Sequence, residues 1–167
     1  MFRRIEDFLK VWTEESANTC KIFAALTDES LGQAVADGHR TLGRMAWHIT
    51  LTLGEMIART GLQVDAPPED APVPAASEEI FRAYSSASDA IAKAVQSEWT
   101  DETLDVEDDM YGETWKRGFT LFVLVTHEVH HRGQMTVLMR QAGLPVPGVY
   151  GPSKEEWVNY GADPPEV

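Results

Sequence analysis

Four long segments of the chain place apolar residues every three or four positions, which is the spacing of one face of an α-helix. The segments cover residues 2–26, 41–60, 77–99 and 115–142. Nowhere do apolar and polar residues alternate over the length that a half-buried strand needs. The sequence therefore predicts an all-α protein, and four helices of this length predict a four-helix bundle with long crossover connections.

Two connections in this pattern are long. Residues 61–76 carry four prolines and three acids, so this linker cannot continue a helix. Residues 100–114 are acidic and irregular, which predicts a loop with a short extended piece at 104–106. Because neither side of the proline-rich linker is large enough to fold convincingly alone, we expect residues 1–167 to form one domain.

Residues at the segment ends predict where helices begin and end. Ser77 is a suitable N-cap for the third helix. Gly143 follows the fourth segment and Pro145 prevents its continuation. Ser153 and Glu156 have the spacing of a capping box in the C-terminal tail.

The charge of the chain excludes several partners. It has 27 acidic against 14 basic residues and a net charge of −13, so binding to nucleic acid or to an anionic membrane surface is not expected. The N-terminus lacks the apolar core of a signal peptide, and no apolar run has the roughly 18 residues that span a membrane. The single cysteine, Cys20, is expected to be a small buried apolar residue in a reducing, cytoplasmic setting rather than a redox thiol.

The fourth segment contains the run THEVHHRGQM, with His127 and His131 four residues apart. On a helix these two side chains lie on one face and can reach one metal ion, whereas His130 projects about 100° away from His131. The pair His127 and His130 is a less favoured alternative, and without a metal these histidines would be hydrogen-bonded core or surface residues. A third ligand must come from elsewhere, and His48 supplies it if the second and fourth helices are neighbours.

Three stretches of the sequence resemble the DinB/YfiT-like family: HEVHHRGQ, AWHI around His48, and the ending RQAGLPVPGVYGPSKEEW. The similarity extends from the first helix to Trp157. It implies a four-helix bundle with two crossover connections. It also implies a divalent metal between the helices, held by His48, His127 and His131. The metals expected for such a site are Zn or Ni, with Fe or Mn as alternatives.

The resemblance also implies a function. Members of the family include transferases and isomerases that use a low-molecular-weight thiol such as bacillithiol or mycothiol, and hydrolase activity has been inferred for others. Three neutral imidazoles leave a coordination position open, as in catalytic zinc sites. The alternative is a non-catalytic metal-binding bundle in which the ion stabilises the fold or a stress-related interaction surface. A cavity over the metal would favour a small-molecule enzyme, and a closed site would favour the alternative.

Five residues near the histidines have expected roles. Thr52 and Gln134 are candidates for orienting the imidazoles through hydrogen bonds. Glu128 is a possible base, but it projects about 100° from His127 and is therefore expected on the solvated surface of its helix. Arg132 is expected to form a structural ion pair, and Gly133 to permit close contact between helices.

The resemblance implies a homodimer that associates through the faces of the bundle. Light scattering is therefore expected to give a mass near twice the 18.6 kDa of one chain. A mass near that of a single chain would contradict this expectation.

Overall fold

The computed structural model describes residues 1–166. Its helices are α1 (Ile5–Ala24), α2 (Leu42–Ala58), α3 (Ser77–Glu98) and α4 (Arg117–Gln141), and its strands are β1 (Glu107–Met110) and β2 (Glu113–Lys116). Short 3-10 helices cover Asp28–Gly32, Asp101–Asp105 and Lys154–Tyr160. Each α-helix lies inside one of the four predicted segments, so the predicted helical bundle is confirmed.

The helices pack in the cyclic order α1, α3, α2, α4. Each of these helices contacts the two beside it, and the main contacts of α2 are with α3 and α4. The second and fourth helices are therefore neighbours, which the sequence spacing left open. The proline-rich linker joins the neighbours α2 and α3, whereas the other two interhelical connections link helices that are diagonal in the bundle. Within residues 1–166 no helix has the length and apolarity to cross a membrane.

The predicted helix ends are close to the observed ones. Gly143 has a φ of 76°, and the amide of Leu144 donates to the carbonyl of Met139 at 2.9 Å, which ends α4 in the manner expected. Ser77 is the first residue of α3 rather than its N-cap. Its amide and hydroxyl instead donate to Oδ1 of Asp28, at 2.7 and 2.9 Å, and so join the start of α3 to the connection after α1.

The stretch predicted as a loop at 100–114 contains structure that the sequence did not reveal. A 3-10 helix is followed by an antiparallel hairpin of β1 and β2, and β2 includes two residues that were assigned to the fourth helix. Tyr111 and Gly112 connect the strands with φ values of 61° and 84°, as a tight hairpin turn requires. The strands carry acids of low β propensity, so their pattern is weak. The fully buried Met110 fixes the hairpin to the bundle.

The two glycines of α4 have different surroundings. A Cβ at Gly133 would meet no atom within 4 Å, so the predicted close helix contact there is wrong. A Cβ at Gly118 would lie 2.2 Å from the carbonyl oxygen of Phe2. The amide of Phe2 donates to the carbonyl of Gly118 at 3.0 Å, so it is Gly118 that lets the N-terminal segment lie directly on α4.

A buried ion pair joins α1 to α4. The guanidinium of Arg132, which is 2% exposed, donates to the carboxylate and to the backbone carbonyl of Glu15 and to the hydroxyl of Thr19. The phenol of Tyr150 accepts from Arg132 at 3.0 Å and donates to Glu15 at 2.8 Å, which attaches the C-terminal segment to the same pair. The predicted ion-pair role of Arg132 is confirmed.

Glu128 belongs to this network and is not on the surface, where we expected it. Its side chain is 1% exposed, and Oε1 accepts from Thr19 at 2.6 Å and from Tyr84 at 2.8 Å. Burial raises the pKa of this carboxyl, against the hydrogen bonds from Thr19 and Tyr84 and the charge of Arg132. Glu128 therefore connects α4 to both α1 and α3.

Replacing Arg132 by Met should reduce the free energy of unfolding by about 3–5 kcal/mol, because the carboxylates of Glu15 and Glu128 would remain buried without their cation. Urea denaturation in the presence of a chelator measures this without any contribution from metal. Arg82→Met is the matched control, since Arg82 forms an exposed pair with Glu78 on α3 and should cost less than about 0.5 kcal/mol. Equal losses in the two variants would contradict the role given to Arg132.

Candidate metal centre

Three histidines from two helices converge at the contact between α2 and α4. His48 lies on α2, and His127 and His131 lie one turn apart on α4. Nε2 of His127 is 3.1 Å from Nε2 of His48 and 3.1 Å from Nε2 of His131. All three side chains are half-buried, and one ring nitrogen from each lies within 4.8 Å of the others. The structure thus brings together the three residues that the sequence singled out, while His130 is exposed and outside the group.

The spacing of these nitrogens fits a metal ion. Two imidazoles bound to one ion at about 2.0–2.1 Å with a tetrahedral angle have nitrogens roughly 3.3 Å apart. Hydrogen bonding alone does not account for the cluster, because Nε2 of His127 offers either one proton or one lone pair and faces two nitrogens. An ion that accepts all three lone pairs resolves this conflict. The residues present therefore suit a metal.

The environment keeps the three rings neutral, as metal ligands must be. Burial is the main cause, and it lowers the pKa of His48 to about 4 with help from the positive charge of Arg40. Burial and the neighbouring His131 lower the pKa of His127 to about 4. Burial also lowers the pKa of His131. At neutral pH each ring has a lone pair available.

Gln134 orients one of the ligands. Its Oε1 lies 2.7 Å from Nδ1 of His131, and an amide oxygen only accepts, so Nδ1 carries the proton and Nε2 presents its lone pair to the cluster. The orienting role predicted for Gln134 thus has the required geometry. Thr52 does not have it, because its hydroxyl donates to the backbone carbonyl of His48 at 2.8 Å and not to the ring.

Two cavities open beside the histidines. The His48 cavity has a volume of about 600 Å³ and is lined by His48 and His127, together with Arg44 and Glu55 from α2. The His131 cavity has a volume of about 470 Å³ and is lined by His131, three other polar residues and four apolar side chains. Both volumes are in the range of small-molecule sites.

The sequence assigned no role to three further polar residues of the His48 cavity, Glu55, Arg59 and Tyr111. The phenol of Tyr111, at the hairpin turn, donates to Oε2 of Glu55 at 2.6 Å. Arg59 pairs with the same carboxylate and lies 4.4 Å from the centre of the Tyr111 ring. Of these, Glu55 could have been found, since it lies seven residues after His48 and hence on the same face of α2. Tyr111 could not, because the hairpin itself was not predicted.

Cys20 lies outside this site. It is half-buried and packs against the core, in partial agreement with the expectation of a buried apolar residue. Burial raises the pKa of its thiol, so the thiol stays protonated and poorly nucleophilic at neutral pH. This argues against a redox role.

The protein is thus a helical bundle with a candidate metal centre. Three histidines cluster between two of its helices, beside open cavities. The DinB family model matches residues 1–166, and the chain belongs to the DinB family. The family that the two histidine-containing stretches and the C-terminal stretch indicated is therefore confirmed.

Known relatives agree with this assignment. The chain is 46% identical over 167 residues, the full length of both proteins, to the "Uncharacterized protein YrdA" of Bacillus subtilis (strain 168). A crystal structure of a DinB-like protein from Bacillus cereus ATCC 10987 superposes with a TM-score of 0.87 and 47% identity, over 90% of this chain and all of that one. The DinB-like protein YjoA of Bacillus subtilis has a TM-score of 0.67 at 14% identity, over 86% and 97% of the two chains, and shares the fold.

The pKa values of the histidines predict how the metal-free protein responds to acid. His48 and His127 titrate near 4 in the folded state, against 6.5 for an ordinary histidine. Between pH 6.5 and 4 the unfolded chain therefore binds protons that the folded chain does not, and folding stability should fall as pH is lowered through this window. Urea denaturation at several pH values in chelator measures the effect.

The comparison variant for this measurement is His48→Gln/His127→Gln, which removes both groups. Its unfolding free energy should fall less steeply than that of the wild type between pH 6.5 and 4. Because the carboxylates are the same in both proteins, their titration cancels in the difference. Parallel curves would contradict the lowered pKa values.

Proposed function

We propose that this protein binds one divalent transition metal through His48, His127 and His131 and is a metal-dependent enzyme acting on a small molecule. Zn or Ni suits three neutral imidazoles best, and Fe or Mn is the alternative. The observation that carries the proposal is the convergence of three ring nitrogens between α2 and α4 at distances that fit one ion.

The reaction class we propose is transfer or isomerisation that uses a low-molecular-weight thiol, with hydrolysis as the alternative. A metal held by three imidazoles supplies Lewis acidity, which lowers the pKa of a coordinated thiol or water. The protein's own residues hold the three imidazoles in position and shape the cavity beside them. Gln134 fixes the tautomer of His131, and the apolar side chains of Leu51, Met56 and Val123 limit water on the walls of the His48 cavity.

The cavities favour an enzyme over a purely structural metal site. Structural zinc sites have four protein ligands and no opening, whereas catalytic sites keep a position for water or substrate. Here three histidines form the cluster, and open space adjoins His48 and His127 on one side and His131 on another.

Metal analysis tests the proposed site. Protein purified without an affinity tag should contain about one transition metal per chain, and a His48→Ala/His131→Ala variant should contain none. His130→Ala is the matched control, since His130 is exposed beside His131 and outside the cluster, and this variant should retain the metal.

A substitution that leaves all three ligands in place separates the effect on metal binding from an effect on folding. Gln134→Ala should reduce metal affinity about 10–100-fold while leaving the far-UV circular dichroism unchanged, because it removes only the partner of Nδ1 of His131. A wild type that is metal-free and cannot be reconstituted would overturn the metalloenzyme proposal. Metal-loaded protein that gives no turnover with thiols or ester substrates would favour the non-catalytic bundle.

A further inference from the structure

Arginines without ion-pair partners are concentrated at the histidine cluster. Six of the nine arginines pair with a carboxylate. Within residues 1–166, Arg3, Arg40 and Arg44 form no such pair, and two of these three adjoin the cluster. In a chain with a net charge of −13, most basic side chains are expected to find an acidic partner. Unpaired arginines are therefore unexpected.

Arg44 and Arg40 lie on the two open sides of the cluster. Arg44 precedes His48 by one turn of α2 and lines the His48 cavity. Arg40 stands just before the N-cap of α2 and lines the His131 cavity. The potential at the cluster is therefore more positive than the net charge of the protein suggests.

Among residues 1–166, Arg44 is the cation of the His48 cavity that forms no ion pair. The other cation there, Arg59, is paired with Glu55, which also accepts from Tyr111. The remaining acid on the lining is Glu69, which is exposed in the proline-rich linker and has no ion pair in the structure described. In the part of the chain that the structure describes, this guanidinium lines the same cavity as His48 and His127 and has no acceptor bound to it.

We propose that the His48 cavity takes a small molecule that carries a carboxylate, and that Arg44 binds this carboxylate while another atom of the molecule reaches the histidine cluster. This specificity rests on the proposed function, since it concerns the ligand of the same centre. A guanidinium matches a carboxylate with two parallel hydrogen bonds. A phosphate dianion would fit less well, because Glu69 on the same lining would repel its second charge.

The test uses protein loaded with Co²⁺ and two thiol probes of similar length, 3-mercaptopropionate and 3-mercaptopropan-1-ol. Binding is followed by the visible absorption of the cobalt. The carboxylate probe should bind the wild type about tenfold more tightly than the alcohol, as a partly exposed charge-assisted contact would give. Arg44→Gln should abolish this preference by weakening only the carboxylate probe.

Two further variants sharpen the test. Arg82→Gln is the matched control, because Arg82 is exposed on α3 and lines neither cavity, and it should keep the wild-type preference. Glu69→Gln should increase the preference by removing a nearby negative charge. Circular dichroism and cobalt stoichiometry verify that each variant is folded and loaded.

The outcomes distinguish this inference from the function on which it rests. A protein that takes up no cobalt contradicts the metal site itself. A cobalt-loaded wild type that binds the two probes equally, or a preference that survives Arg44→Gln, overturns the role of Arg44 and leaves the metal site intact.

Discussion

The buried ion pair of Arg132 and Glu15 is the interaction on which the arrangement of the bundle depends. It attaches α4 to α1, and Glu128 extends it to α3 through Tyr84. The guanidinium of Arg132 is 2% exposed, so water cannot replace Glu15 as its partner. The pair therefore fixes the rotation of α4 about its own axis. That rotation turns the face bearing His127 toward α2, because consecutive residues on a helix project about 100° apart.

The candidate site therefore lies between the buried network of α4 and two open cavities. On α4, the two histidines stand beside the buried network, and Gln134 holds one of them in a single tautomer. The third histidine, His48, comes from α2, and residues of both helices line the two cavities. Burial lowers the pKa values of the rings and leaves them neutral. Arg40 and Arg44, which form no ion pair within residues 1–166, line the cavities beside them. Such a centre suits a metal and an anionic ligand, although the protein as a whole is acidic.

The sequence predicted the helices and the three histidines because both follow the helical repeat. It could not show that α2 and α4 are neighbours, since that depends on the whole packing. Glu128 was misplaced because an acidic residue was assumed to be exposed, although Val125, Glu128, Arg132 and Met135 alternate at steps of three and four and all are buried. That spacing was the signal in the sequence that could have predicted a buried Glu128. Tyr111 was missed because its hairpin is fixed by one buried side chain and a turn, not by an apolar pattern.

The convergence of His48, His127 and His131 is best explained by one metal ion held by three imidazoles from two helices. X-ray absorption spectroscopy of the metal-loaded protein tests it most directly, because imidazole rings give characteristic multiple scattering beyond the first shell. We expect three imidazoles and at least one further light ligand, with one imidazole lost in His48→Gln. Coordination by carboxylates or sulfur, or a spectrum unchanged in that variant, would contradict it.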